Sequence, residues 1–269
     1  MLLFFDMPKT EEYRQTNGKS EILHGKDDYL EHFDTSIYLK DFYTNVDDPA
    51  MQLVLSMLPN IVKRIPPGKS FLDFGAGPTI HASVAFRHSM ENIYMADFLE
   101  SNCKELIAWL EGRSRFDWSN ALKKLVCGEG IDGYHIEEME RLTRSKVSGI
   151  FHCDCHKKPA LNAPKELLGT FDVVNTIFCV EYCCDTLDEY RCAMQNITDL
   201  IRPGGYLVMG CILEETFCVI GGQKFSCLYL TEDFMLSTLR ECNLLVDDPQ
   251  TTKIYSFQGM VLICCKKMD

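Results

Sequence analysis

The chain has 269 residues, 46% of them hydrophobic and 25% charged, with a formal net charge of −12. Those proportions suit one large globular α/β domain. The acidic balance argues against nucleic acid and anionic membrane as partners, because both need basic patches. Fourteen cysteines lie largely in apolar runs such as Ile263-Cys264-Cys265, where they act as small buried hydrophobes. A reduced, cytoplasmic protein is therefore expected rather than a disulfide scaffold.

In chain order, Met1–Asp6 is an apolar run too short for a secretory signal. No stretch reaches the roughly 18 apolar residues of a membrane helix. Residues 1–27 read as a polar tail or arm, and 28–269 as a single domain whose first part, 28–66, forms a helical lid. The aromatic spacing over Tyr29–Tyr43 favours short helices. Asp48 caps a further helix with Pro49 in its first turn, and Pro59 is expected to kink or break it. Ser70–Phe74 is a strand, followed by a glycine turn and a helix to about Phe86. Ile93–Asp97 is the next strand, and Asn102–Glu111 a helix. Residues 112–148 form a mostly polar helical excursion. Gly149–Cys155 and Phe171–Thr176 are buried strands. A helix from Leu187 to Ile201 is stopped by Arg202-Pro203-Gly204-Gly205, and Tyr206–Cys211 is a strand. A polar-apolar segment (Phe217–Leu228), a helix capped by Thr231 and a last strand, Gly259–Cys265, complete the chain. Strands alternating with helices mean a doubly wound, mostly parallel sheet. Its ligands bind beyond the carboxyl ends of the strands, which here are Phe74-Gly75, Asp97, Asp154 and Thr176.

Gly75 and Gly77 let the backbone pass close to a ligand. The third glycine of a dinucleotide fingerprint is absent, since position 80 is Ile. Asp97, 22 residues beyond Gly75, can accept from both hydroxyls of a ribose. Taken alone, this pair fits either a dinucleotide or S-adenosylmethionine. His152-Cys153-Asp154-Cys155-His156 is read as a strand end and not as a metal site, because neighbouring strand residues point to opposite faces. No metal is expected.

Asp73-Phe74-Gly75-Ala76-Gly77-Pro78-Thr79 resembles motif I of class I S-adenosylmethionine-dependent methyltransferases. Tyr29-Leu30-Glu31-His32-Phe33, Phe116-Asp117-Trp118-Ser119, Phe178-Cys179-Val180-Glu181, Leu200–Leu207 and Ile220–Ser226 narrow the likeness. From about Asp28 to its end the chain resembles the nicotinamide, phenylethanolamine and indolethylamine N-methyltransferases. The resemblance implies a seven-stranded, mostly parallel Rossmann-like sheet and a monomeric enzyme. S-adenosyl-L-methionine would be the cofactor, leaving as S-adenosyl-L-homocysteine. It implies Tyr29, Tyr38 and Tyr43 around the cofactor, with Gly75, Ala76, Gly77 and Thr79 at its amino-acid end. Asp97 and Asn102 would meet the ribose, Asp154 and Cys155 the adenine, and Ile177 the space beside them. The chemistry suits these types: a diol and an adenine amino group need acceptors, and a sulfonium tolerates aromatic faces.

For the acceptor, the resemblance puts Tyr38, Glu181, Cys211 and Glu215 around the substrate. Glu181 and Glu215 would act as the catalytic acids that hold an amine and take its proton. Cys211 stands where the nicotinamide branch has an Asp, which favours a small arylalkylamine over nicotinamide. Nicotinamide or pyridine methylation and a non-catalytic cofactor-binding relative remain as alternatives, with a dinucleotide oxidoreductase behind them.

Overall fold

The computed structural model describes residues 22–130 and 135–269. Of the expected arm, residues 1–21 lie outside the described residues, and Leu23–His24 (β1) form a strand. Next come α1 (Tyr29–His32), α2 (Thr35–Tyr43) and α3 (Pro49–Val62). Asp34 caps α2 by accepting from the N–H groups of Ser36 and Ile37. Asp48 caps α3 through Ala50 and Met51, with Pro49 in the first turn, as the sequence predicts. Pro59 does not break α3, which continues to Val62. The turn carrying Pro59 is buried under Gly128 of a later helix. A Cβ on Gly128 would come within 3.1 Å of both Pro59 Cγ and the Ser56 carbonyl oxygen, so close packing holds that turn in place.

The central sheet follows from β2 (Gly68–Phe74), α4 (His81–Phe86), β3 (Met90–Asp97), α5 (Glu100–Leu110), α6 (Ser119–Glu129), α7 (Ile136–Lys146), β4 (Val147–His152), β5 (Phe171–Ile177), α8 (Val180–Cys183), α9 (Leu187–Thr198) and β6 (Ile201–Ile212). A hairpin, β7 (Phe217–Ile220) and β8 (Gln223–Ser226), is followed by α10 (Glu232–Glu241), β9 (Lys253–Phe257) and β10 (Met260–Lys266). Among the described residues the large sheet has seven strands in the order β4-β3-β2-β5-β6-β10-β9. The pairs from β4 through β6 are parallel, while β10 runs antiparallel to β6 and β9. The expected mostly parallel, doubly wound α/β sheet is therefore present. Chain order reverses between β2 and β5, so their carboxyl ends form the switch point where ligands bind.

Both faces of the sheet are buried, and the period of two assigns residues to them. Phe71, Val173 and Leu262 pack with Val54, Leu55 and Leu58 of α3 and Leu122 and Leu125 of α6. Leu72, Val174 and Ile263 pack with Met194 and Ile197 of α9 and Leu239 of α10. α3 is thus part of a core layer, and the roof over the strand ends is narrower than residues 28–66. The Arg202–Gly205 turn also differs from expectation. α9 ends at Thr198, and 202–205 form an irregularity inside β6, whose register with β5 jumps from Phe171↔Ile201 to Val173↔Tyr206. Gly205 sits there because a Cβ would lie 2.9 Å from the Asp172 carbonyl oxygen. The 217–228 segment is a hairpin whose strand β8 also pairs with β1.

Candidate active site

A cavity of about 770 Å³ opens at the carboxyl ends of β2–β6. Its floor begins with the glycine turn. Gly75 has φ +68°, and a Cβ there would overlap Cys179 Sγ, so only glycine fits. Gly77 has φ +58°, and its N–H donates to Asp97 Oδ2 at 2.7 Å. Asp97 Oδ1 accepts from Leu99 N–H (2.9 Å) and from the Asn102 amide (3.0 Å). Burial pushes the Asp97 carboxyl above its ordinary range against these three donors. On the other side of Asn102, Thr35 of α2 donates its hydroxyl to Asn102 Oδ1 at 2.8 Å. The roof is therefore tied to the residue that also orients Asp97.

The hydroxyls of Tyr38, Tyr43 and Thr79 cluster beneath the roof, and Thr79 donates its own to the Ala76 carbonyl oxygen at 2.8 Å. Burial raises both tyrosines, so they stay protonated donors. His81, the first residue of α4, also lines the cavity and stacks on Tyr43 with ring centres 5.4 Å apart. Beyond β4, Asp154 accepts from His156 N–H (3.0 Å) and pairs with Lys157 (3.1 Å). Burial works against its charge, but these partners outweigh it and leave the carboxyl below its usual range. Ile177 closes the floor, and Gly210 makes room for it: a Cβ on Gly210 would come within 2.9 Å of Ile177 Cγ2.

Tyr29, Tyr38, Tyr43, Gly75, Ala76, Gly77, Thr79, Asp97, Asn102, Asp154, Cys155 and Ile177 all line this one cavity. Glu181, Cys211 and Glu215 do not. Glu181 is 1% exposed, and its Oε1 accepts from Ile212 N–H at 3.0 Å. The Cys211 thiol is buried against Met235 Sδ (3.3 Å). Glu215 is exposed to solvent. In their place the wall over β6 consists of Tyr182, Ile212, Phe217 and Cys218, facing Tyr29 and Phe33. Tyr182, Ile212, Phe217 and Cys218 have no role in the sequence analysis, although Gly221-Gly222 between two apolar runs is a readable hairpin signal. The hairpin tip is fixed to the roof: Gly221 N–H donates to Asp41 Oδ2 (2.9 Å), and its missing side chain leaves room for Ile37.

These residues fit S-adenosylmethionine. An acceptor cluster at the β3 end faces where a diol would lie, hydroxyl donors and a glycine cradle line the turn, and a second carboxylate stands at the β4 end. The NNMT/PNMT/TEMT family model matches residues 21–268. The chain belongs to this family. It is an S-adenosylmethionine-dependent N-methyltransferase acting on small molecules. It is 32% identical over 250 residues to the nicotinamide N-methyltransferase of Caenorhabditis elegans, covering 90% of this chain and 91% of that one. It is also 32% identical over 216 residues to the indolethylamine N-methyltransferase of Oryctolagus cuniculus, covering 78% and 81%. The fold is shared with Burkholderia thailandensis 1,6-didemethyltoxoflavin-N1-methyltransferase at a TM-score of 0.53 and 15% identity, over 91% of this chain and 87% of that one. No helix among the described residues is long and apolar enough to cross a membrane.

Proposed function

We propose that this methyltransferase acts on a flat nitrogen acceptor that enters uncharged, a pyridine or a neutral arylamine. The carrying observation is the wall over β6, which is built of aromatic rings, Ile212 and Cys218. The four carboxylates that do line the cavity are engaged elsewhere: Asp97 and Asp154 at the ends of β3 and β4, Asp48 as the α3 cap, and Asp27 exposed at the rim. An ammonium entering over β6 would lose hydration without gaining a counter-charge. A neutral ring loses far less.

On this reading Asp97 and Asn102 receive the ribose, and Asp154 and Cys155 flank the adenine. Tyr38, Tyr43 and the 75–79 turn hold the amino-acid tail, and Tyr29 and Ile177 bound the reacting region. The bound donor supplies an electrophilic methyl group on a sulfonium. The chain's own contribution is positional: its rings exclude water, fix the acceptor plane and aim the nitrogen lone pair. Aromatic faces also favour a cationic product.

A second reading has one observation in its favour. Burial pushes Glu181 up to about 7, and it lies next to Tyr182, directly behind the wall. A side-chain rearrangement would let it hold an amine, as the sequence suggests. A labelled-methyl screen over nicotinamide, pyridines, arylalkylamines and alkylamines from pH 6 to 9 separates the two. Uncharged acceptors should lead at pH 7, with amine rates rising as the free base forms. Efficient arylalkylamine turnover at pH 7 that is lost in Glu181→Gln would overturn the first reading in favour of the second.

A further inference from the structure

His81 stands out among the buried polar groups. It is 5% exposed and lines the cavity, yet neither Nδ1 nor Nε2 has a hydrogen-bond partner. Buried imidazoles are ordinarily paired through at least one ring nitrogen. One face of the ring is fixed by Tyr43, whose hydroxyl lies in the cluster with Tyr38 and Thr79. Three hydroxyl groups and an imidazole thus gather beside the glycine turn, and neither ring nitrogen has a protein partner.

The charged and titratable groups on the surrounding elements are engaged with partners of their own. Tyr43 comes from α2, and Asp48, the α3 cap on the cavity wall, is occupied by Ala50 and Met51 N–H. At the end of β2, Asp73 is bonded to Asn175 (2.7 Å) and acts electrostatically on Tyr43. Asp97 at the end of β3 is held by its three donors. Arg87, beyond the other end of α4, is locked bidentately to Glu129 (2.6 Å each). None of these bonds the ring, and burial alone drives His81 down to about 4. The ligand-free ring is therefore neutral at pH 7.

We propose that His81 receives the carboxylate of the methyl donor's amino-acid tail and does so as an imidazolium, so that donor binding draws a proton from solvent. This rests on the donor site described above. A carboxylate brought against a buried imidazole favours its charged form. The ligand thus supplies the anion that the protein omits. His81 is a positioning residue for the tail, and donor affinity becomes linked to pH.

The test is calorimetric titration of the full chain with S-adenosylhomocysteine at pH 7 in phosphate and in Tris, whose ionisation heats differ. The wild type should take up roughly half a proton to one proton per ligand bound. Its Kd should rise by up to about tenfold per pH unit between the free-ring and bound-state pKa values and level off above the latter. His81→Asn and His81→Gln keep a polar group without a titration in this range. Both should bind about tenfold more weakly, losing the ring's share of the uptake and keeping only the weaker pH dependence of Asp73, which burial pushes up to about 7. Asp73 and Asp97 are unchanged in the variants, so the difference isolates the ring. Binding by the wild type without proton uptake, or uptake preserved in both variants, would overturn the inference while leaving the donor site intact. Absence of any S-adenosylhomocysteine binding by the wild type would overturn both.

Discussion

Replacing Asp97 by asparagine separates a loop clamp from a ligand contact. A carboxylate has about four lone-pair positions. Gly77 N–H, Leu99 N–H and the Asn102 amide occupy three of them, which leaves one on Oδ2 for a ligand hydroxyl. One hydrogen bond to a charged group contributes about 1.5–3 kcal/mol, equivalent to about 10- to 150-fold in Kd. In Asp97→Asn, Oδ1 keeps its two donors, while an amide NH2 replaces Oδ2 and meets Gly77 N–H donor to donor. The ligand-free fold loses that bond but is relieved of a charge that burial disfavours. The two effects oppose each other, and urea unfolding should move by only about 1 kcal/mol. S-adenosylhomocysteine titrated calorimetrically into the same protein should bind about 10- to 150-fold more weakly. A Kd within twofold of wild type, with the fold intact, would make Asp97 a clamp on the turn and refute the ribose assignment.

Two further outcomes follow from the same geometry. Glu181, held up to about 7 by burial against the Ile212 N–H, has a folded pKa above its unfolded one. Its contribution is full below the ordinary glutamate range and is lost as pH rises through about 7, by at most about 3–4 kcal/mol. Glu181→Gln keeps the Ile212 bond and removes the titration. Its urea stability relative to wild type should therefore climb between pH 4.5 and 8, and a constant difference across that range would show that the side chain does not titrate as argued. Thr35→Val removes the 2.8 Å bond that ties α2 to Asn102, worth about 1 kcal/mol. Amides of 35–43 should then exchange about fivefold faster in the ligand-free protein, and rates equal to wild type would show that the roof is held by its other contacts alone.

That the residues proposed to hold the donor share one cavity was legible because they are written locally. A glycine turn demands glycine at positive φ, a carboxylate follows at the end of the next strand, and α/β topology brings the strand ends to one rim. Misreadings arose where packing overrode local chemistry. Pro59 sits in an unbroken helix because α6 closes over it, and Pro203-Gly204-Gly205 lies inside a strand because the ladder with β5 resumes beyond it. The proposed acceptor half is assembled from Tyr29, Tyr182, Ile212 and the β7–β8 hairpin, residues far apart in sequence whose meeting depends on the three-stranded sheet β1-β8-β7. Glu215 shows the limit of a short string. Glu214 has φ +60°, and its N–H is bonded to the Leu230 carbonyl. That reversal leaves Glu215 exposed.

On the proposed reading, acceptor choice becomes a matter of protonation more than of shape. A carboxylate can hold an ammonium only if it meets it, and Glu181 has already committed Oε1 to the Ile212 N–H behind the wall. Bringing its charge into the cavity means breaking that bond and moving a buried, partly protonated group past Tyr182 or Ile212. A neutral ring requires neither step, and its nitrogen lone pair is free on arrival. An alkylamine must first lose its proton to water, so its apparent rate at pH 7 is limited by the free-base fraction unless Glu181 moves. Two proteins with the same cavity outline would therefore rank acceptors differently according to that one side chain. The slope of rate against pH for an amine, compared in wild type and Glu181→Gln, discriminates between the two readings where the identity of the best acceptor at a single pH does not.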